Sequence, residues 1–370
     1  MVFIQIHINF FQVTKNPSFV CKCHVFFSAS RREQQTNTPS ISKRQFSLQA
    51  APRVESVLKS PEKSDSLLSF LKETGFSTSQ SEKILKYRPR FQSASLENSI
   101  MPKIKIFQDL GFPADEIAKL ISTYPTILHS SANNRVIPSL SILKGILGSD
   151  EGVGKLLRTS GSFLTKDLGK TLIPNVKFLE NCGIQMDQII KVIYSYPRFL
   201  VHKPEIIRKC VVKADEMGVN RSSRMFIYAV RVVSSMNEES WELKLQTFRD
   251  MGFSEYDILR VFRTSPVVFG VSEKKLKKVK EVLLATGKYD MPCIVNHPLS
   301  LCCSVENRLK PRLRVLEILE SKNLIANWPS LATLLTLSSK RFFEKFVSPY
   351  LDEVGGIYNA KSEVNDKRDY

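Results

Sequence analysis

Five cations recur in step along the chain. Lys83, Lys119, Lys155 and Lys191 follow one another at intervals of 36 residues, and Arg260 holds the same place in a later copy. Each stands six residues before a slot filled by proline, or by Gly161 in one copy; Lys86, Arg158 and Arg263 stand three before it. Residues three apart are neighbours on one helix face, so the two sets share a face if these segments are helical. Permanent positive charges at a regular spacing do one kind of chemistry, which is to pair with anionic groups set along a line, phosphates above all. Lys and Arg are also good helix formers and suit any exposed helix position. On that ground alone acids should fill the six-back place as often, and none does in five copies. These eight residues are the candidate nucleic-acid-binding set. If all eight engage duplex DNA, the salt slope would be about −7. Phosphate contacts give affinity and register but carry no sequence information.

Other chemistry is poorly supported. The seven cysteines (Cys21, Cys23, Cys182, Cys210, Cys293, Cys302, Cys303) are odd in number and irregular in spacing, which argues against a disulfide framework. A zinc site needs two ligand pairs converging on a tetrahedron, and neither Cys21/Cys23 nor Cys302/Cys303 has a second pair at finger-like distance. No metal and no cofactor is expected. The segment Gly148-Ser-Asp-Glu-Gly152-Val-Gly154-Lys155-Leu156 imitates a phosphate loop, but Ser149 replaces the first glycine and Leu156 the Mg²⁺-binding hydroxyl. The histidines His7, His24, His129, His202 and His297 are scattered, and the acid pairs Asp115-Glu116 and Glu238-Glu239 suit helix starts. The chain does not read as an enzyme. Two further basic clusters compete with the periodic set: Lys274–Lys280, and Arg308-Leu-Lys310-Pro-Arg312-Leu-Arg314, whose alternating apolar residues imply partial packing. Arg88 and Arg198, beside repeat prolines, can reach a groove or cap a carbonyl.

What must position these residues is a repeat. Four segments align without gaps: Leu71 to Gly75-Phe and on to Pro89, Phe107 to Gly111-Phe and Pro125, Phe178 to Gly183-Ile and Pro197, Phe248 to Gly252-Phe and Pro266. In each, 14 residues separate the Gly from the Pro, and a second ladder runs Pro102, Pro138, Pro174. Weaker copies fall at Met217-Gly218, with Val232 in the proline slot, and before His297-Pro298. The glycine ends a first helix, where a left-handed residue is needed. An apolar period of 3.6 follows, as in Ile117, Leu120, Ile121 and Ile258, Val261, Phe262, and the proline stops the second helix. Ladder prolines suit the first turn of the next helix. A lone helical hairpin cannot bury its apolar face, so neighbours must stack. The expected fold is all-α, a superhelical solenoid of about seven to eight hairpins of ~36 residues, spanning 65–350.

Composition agrees. The 370 residues hold 54 Lys+Arg against 36 Asp+Glu, a net charge of +18, with 42% apolar residues, enough for a sizeable core. No stretch reaches the ~18 consecutive apolar residues of a membrane span. The first 32 residues lack acid, and basic, hydroxylated residues recur to Ser47, with Arg44-Gln45-Phe46-Ser47 resembling a presequence cleavage site. Residues 1–46 read as an organelle transit peptide, 47–64 as a disordered linker and 351–370 as a flexible C-terminal tail. Residues 64–370 remain basic, with 45 cations and 33 acids.

The frame Leu/Phe-x-x-x-Gly-Phe, an Ile-rich helix, then Tyr/Ser-Pro-x-x-Leu/Phe resembles the repeat of the mitochondrial transcription termination factor (mTERF) family. It is carried by Tyr87-Arg-Pro89-Arg-Phe91, Tyr124-Pro125-Thr-Ile-Leu128, Tyr196-Pro197-Arg-Phe-Leu200 and Ser265-Pro266-Val-Val-Phe269. Ser235-Met236, Leu276–Val279 and Lys340–Val347 also resemble the plant organellar branch. The resemblance implies two longer helices and a short 3₁₀ turn per repeat, and binding of double-stranded DNA or structured RNA of an organelle in transcription termination or transcript processing. No residue here matches the base-flipping residues of some members. Localisation is expected to be mitochondrial, with the chloroplast as alternative, and the protein a monomer on nucleic acid without membrane contact. Two other classes share a period near 35: a single-stranded RNA reader, which needs paired polar positions, and a protein–protein scaffold, which needs an aromatic or acidic groove.

Overall fold

The computed structural model describes residues 68–87 and 100–365; the transit peptide, the linker and the Arg88–Phe91 part of the first repeat motif lie outside them. Among the described residues all regular structure is helical. Left-handed backbone recurs at Gly75, Gly111, Gly148, Gly183, Gly218, Gly252 and Gly287, and Asn323 (φ 56°) takes an eighth place. Eight such turns mark eight helical hairpins in series, the solenoid that the repeat calls for.

The Phe-x-x-x-Gly-Phe frame has a local cause. At Gly111 the amide bonds back to Gln108 O (2.8 Å), and the next amide, Phe112 N, reaches Phe107 O (3.0 Å). This double closure needs a positive φ at its centre and brings the residues at its ends together. Phe107 and Phe112 meet edge to face at 6.0 Å, as do Phe248 and Phe253 at 5.3 Å around Gly252. The Tyr/Ser-Pro frame is equally local. Tyr124, Tyr196, Ser265 and His297, each before a proline, leave helical geometry with ψ near 60°, because the proline ring disfavours α conformation in the residue ahead of it.

Second helices run Thr78–Tyr87, Ala114–Thr123, Asp150–Thr159, Met186–Ser195, Phe226–Val233 and Glu255–Thr264. First helices include Met101–Asp109, Ile137–Leu147, Leu172–Asn181, Pro204–Glu216, Glu238–Asp250 and Glu273–Leu284. Consecutive second helices from Ala114–Thr123 to Glu255–Thr264 pack on one another, as do the first helices Leu172–Asn181 and Pro204–Glu216, so the hairpins form two layers. Ile84, Leu156, Val192, Ile193, Val261 and Phe262 are buried between them.

A buried or half-buried polar side chain closes several repeats on themselves. From a first helix or the turn leading into it, Lys103 Nζ donates to Leu128 O, Asn175 Nδ2 to Leu200 O and His202 O, Lys244 Nζ to Val271 O, Lys275 Nζ to Cys302 O, and Arg308 Nη2 to Leu335 O and Leu337 O. Each acceptor is 25 to 29 residues on, in the short turn that follows the same repeat's second helix. Those carbonyls would otherwise be buried without a partner.

The two repeats without a slot proline behave differently, and the C-terminal expectation needs amendment. Gly161 keeps the short 3₁₀ turn, Gly161–Thr165, despite the missing proline. A Cβ there would lie 2.5 Å from Leu120 Cδ1 and 2.7 Å from Tyr124 Cδ2, so only glycine fits against the preceding repeat. At Val232 the helix Phe226–Val233 runs one residue past the slot, and a turn closed by Ser235 N to Val232 O and Met236 N to Val233 O takes the place of the 3₁₀ element. The C-terminal segment is no flexible tail over its described length, since Leu351–Asn365 is a helix. Val354 and Tyr358, one turn apart, are buried; Tyr358 stacks on Phe342 at 5.6 Å, and the helix packs on Lys310–Ser321. Burial of that stripe outweighs the two helix-weakening glycines, Gly355 and Gly356.

Candidate nucleic-acid interface

Lys83, Lys119, Lys155, Lys191 and Arg260 each occupy the sixth position of a ten-residue second helix, and all are exposed. Because second helix packs on second helix, the five positions follow one another along one layer. Lys83, Lys119 and Arg260 have no hydrogen-bond or ion-pair partner among the described residues. Lys155 Nζ sits 5.5 Å above the Tyr194 ring, and Lys191 Nζ holds Asp187 Oδ2 at 2.8 Å. That hydrogen bond holds the Asp187 carboxyl below its ordinary value, with lesser help from the charge of Arg224.

The three-back residues divide. Lys86 is exposed and has no ion-pair partner among the described residues. Arg158 reaches back to the preceding repeat, with Nε 2.6 Å from Glu116 Oε2 and its guanidinium 4.7 Å over the Phe112 ring. Arg263 Nε donates to Met217 O (2.9 Å), lying across Gly218, where any Cβ would come within 3 Å of its guanidinium. Both arginines join neighbouring repeats, and the Nε donor of each is engaged before any ligand arrives. A sequence signal marks one of them: Gly154, one turn ahead of Arg158, leaves the helix surface bare where the guanidinium lies 3.2 Å from its absent Cβ.

Sequence reasoning missed Arg224. The fifth repeat carries buried Phe226 in the six-back place, which breaks the row. Exposed Arg224, close enough to act on Asp187, brings a cation beside Lys191 before Arg260 resumes the period. This is also the one of these second helices, from Ala114 to Thr264, without an acid in its first turn. The others open with Asp115 and Glu116, Asp150 and Glu151, Asp187, or Glu255 and Asp257. Acids at helix starts and bases further along complement the helix dipole. One long edge of the layer is therefore acidic, and the cations run beside it.

Most members of the competing clusters have partners within the fold. Lys275 and Lys280 donate to the carbonyls of Cys302 (2.6 Å) and Met251 (2.8 Å), while Lys277 and Lys278 pair with Glu273 and Glu281. Arg312 is buried, donates to Leu334 O (2.7 Å) and stacks 4.8 Å over Phe342; burial lowers its pKa to about 10. Arg308 closes its repeat, and Lys310 and Arg314 pair with Glu306 and Glu317. Arg198 is exposed, and Arg88 lies outside the described residues. The phosphate-loop imitation is a helix junction: Gly148 is a left-handed C-cap and Ser149 Oγ accepts from Gly152 N. Among the described residues no three His, Cys, Asp or Glu gather at metal-binding distance, and no helix is long and apolar enough to cross a membrane.

Comparison with protein-family models decides the relationship. The mTERF model matches residues 68–170 and again 128–343, most of the described chain. The chain belongs to the mTERF family. No curated protein matches it. Membership makes the chain one of a family of organellar nucleic-acid-binding regulators of transcription or transcript processing, whose members are not typically enzymes. The short turns Gly161–Thr165, Pro266–Gly270 and Pro298–Cys302 are the 3₁₀ elements that the mTERF repeat implies, whereas Thr126–His129 forms a single α turn in their place.

Proposed function

We propose that this mTERF protein binds double-stranded DNA or structured RNA of an organelle along the second-helix row, and thereby regulates transcription, termination included, or transcript processing. The observation that carries this is a contrast in use. Among the described residues Lys83, Lys86, Lys119, Lys155 and Arg260 project from the second-helix layer without an acidic partner, whereas in the denser clusters Lys275, Lys280, Arg308 and Arg312 are held by carbonyls of the fold and Lys277, Lys278, Lys310 and Arg314 sit in local ion pairs. A row of single cations one repeat apart follows a phosphate backbone and supplies register without base readout. The protein acts as a monomer, with no cofactor, and belongs to the plant organellar branch. Residues 1–46 deliver it to the mitochondrion, or in the alternative to the chloroplast.

Binding of the full chain to duplex DNA, structured RNA and single strands across a salt series, beside Lys119→Glu/Lys155→Glu/Lys191→Glu, tests the reading. Salt-steep duplex binding that the triple variant loses supports it. Undiminished binding by the variant sinks it, and no binding to any nucleic acid favours a protein scaffold.

A further inference from the structure

The first-helix layer carries its own repeat-locked feature, and it is apolar. Ile100, Val136 and Leu172 are buried, and so are Lys103, Ser139 and Asn175, three residues on; this fixes the register of three consecutive first helices. In that register Met101, Ile137 and Ile173 are equivalent, at intervals of 36, and each is followed by a ladder proline. Met101 is 43% and Ile137 46% exposed, Pro102 and Pro138 are exposed, and Ile173 and Pro174 are half-buried. Single exposed apolar residues are ordinary, but adjoining apolar pairs on three successive repeats make a continuous strip. One helical turn along, the equivalent positions are Lys105, Ser141 and Lys177, all exposed and none acidic. In the fifth repeat, where Ile207 and Cys210 take the buried places, the strip position becomes Arg208, which lies over the Phe178 ring at 5.4 Å.

We propose that Met101-Pro102, Ile137-Pro138 and Ile173-Pro174 form a docking strip for an acidic amphipathic helix of a partner protein. Packed helices are about 8–10 Å apart, so the strip repeats at that distance. Residues seven apart on a helix are about 10.5 Å apart, so a helix laid along the layer offers one apolar side chain per repeat. Lys105, Lys177 and Arg208 flank the strip and select acidic neighbours on that helix. A second copy of this chain is disfavoured, because residues 64–370 carry 45 cations against 33 acids. A lipid surface takes a broad apolar patch, whereas this strip is about one side chain wide. It lies on the layer opposite the cationic row, so the two surfaces can be occupied together.

The test uses the full-length chain and a labelled synthetic helix of three heptads, leucine on one face and glutamate flanking it, read by fluorescence anisotropy. The expected result is saturable binding that weakens about tenfold or more in Met101→Ser/Ile137→Ser/Ile173→Ser, and severalfold in Lys105→Glu/Lys177→Glu. Both variants should keep the wild-type thermal midpoint and duplex-DNA affinity. The proposal is overturned by wild-type protein that ignores the peptide, by equal binding to the serine variant, or by equal binding of a peptide with lysine in place of glutamate. Anionic phospholipid vesicles that bind instead, and lose binding in the serine variant, would overturn it in favour of a membrane surface.

Discussion

Neutralising the second-helix row makes the sharpest prediction. Of the eight cations singled out by spacing, Arg158 and Arg263 are tied to the neighbouring repeat through Glu116 Oε2 and Met217 O. Lys191 is paired with Asp187, but both side chains are about two-thirds exposed, so the pair is weak and phosphate can replace it. Six cations then remain: Lys83, Lys86, Lys119, Lys155, Lys191 and Arg260. For duplex DNA the expected slope of log K against log salt is about −0.9 × 6, near −5.4, against about −7.2 if the two arginines also let go. Over a fourfold change in salt the first value means a loss of about 2 × 10³ in affinity and the second about 2 × 10⁴, well separated by anisotropy titrations. Lys119→Gln/Lys155→Gln/Lys191→Gln should bring the slope to about −2.7, and Arg158→Ala should leave it alone. A slope near −7 in the wild type would show that the arginines abandon their repeat contacts on binding. A slope that ignores the glutamine substitutions would refute the row as the contact surface.

The same geometry fixes several stability effects, each read by chemical denaturation. Arg158→Ala should cost about 1 kcal/mol, through the partly exposed Glu116 pair and the Phe112 stack, without loss of helix content. Gly161→Ala should cost about 1–3 kcal/mol by overpacking against Leu120 and Tyr124, whereas Gly145→Ala, in open space within a helix, should be stabilising by up to about 1 kcal/mol. Tyr289 is buried, donates to Pro329 O (2.9 Å) and accepts from Trp328 Nε1 (2.9 Å), and burial pushes its pKa up to about 12. A raised folded pKa means that this contribution is whole below the unfolded value of about 10 and is lost as pH climbs from there towards 12. Tyrosinate absorbance should show late-titrating groups, since burial also raises Tyr194 and Tyr358, and Tyr289→Phe should remove one of them; early titration of every tyrosine would contradict its burial.

The sequence made the frame legible because its landmarks are local. A left-handed turn and a pre-proline residue each depend on two or three neighbours, so Gly111 and Tyr124-Pro125 announce themselves without tertiary knowledge. Gly148 escaped because its repeat is one residue longer, which places it 37 rather than 36 after Gly111 and drops it from a gapless alignment. Asn323 escaped because it does glycine's work with a side chain. The candidate row was legible as a spacing, yet spacing cannot say what a side chain reaches. Arg158 and Lys155 look alike until the neighbouring repeats supply the Glu116 carboxylate to one and only the face of Tyr194 to the other. Lys103 and Asn175, one residue after ladder prolines, read as surface positions because they are polar. Only the fold reveals the carbonyls that draw them inside.

Those inward-reaching side chains set the mechanics of the array. A repeat fastened to its own closing turn by Lys103, Asn175, Lys244, Lys275 or Arg308 behaves as a stiff link. Contacts between links, such as Arg158 to Glu116 or Arg263 to Met217 O, include several made at the exposed surface. Strain from a ligand whose charges are spaced slightly differently from the protein's would gather at these joints and leave the links unchanged. The molecule then bends as a bicycle chain does, by small rotations at every pin, and the mismatch is shared out along its length.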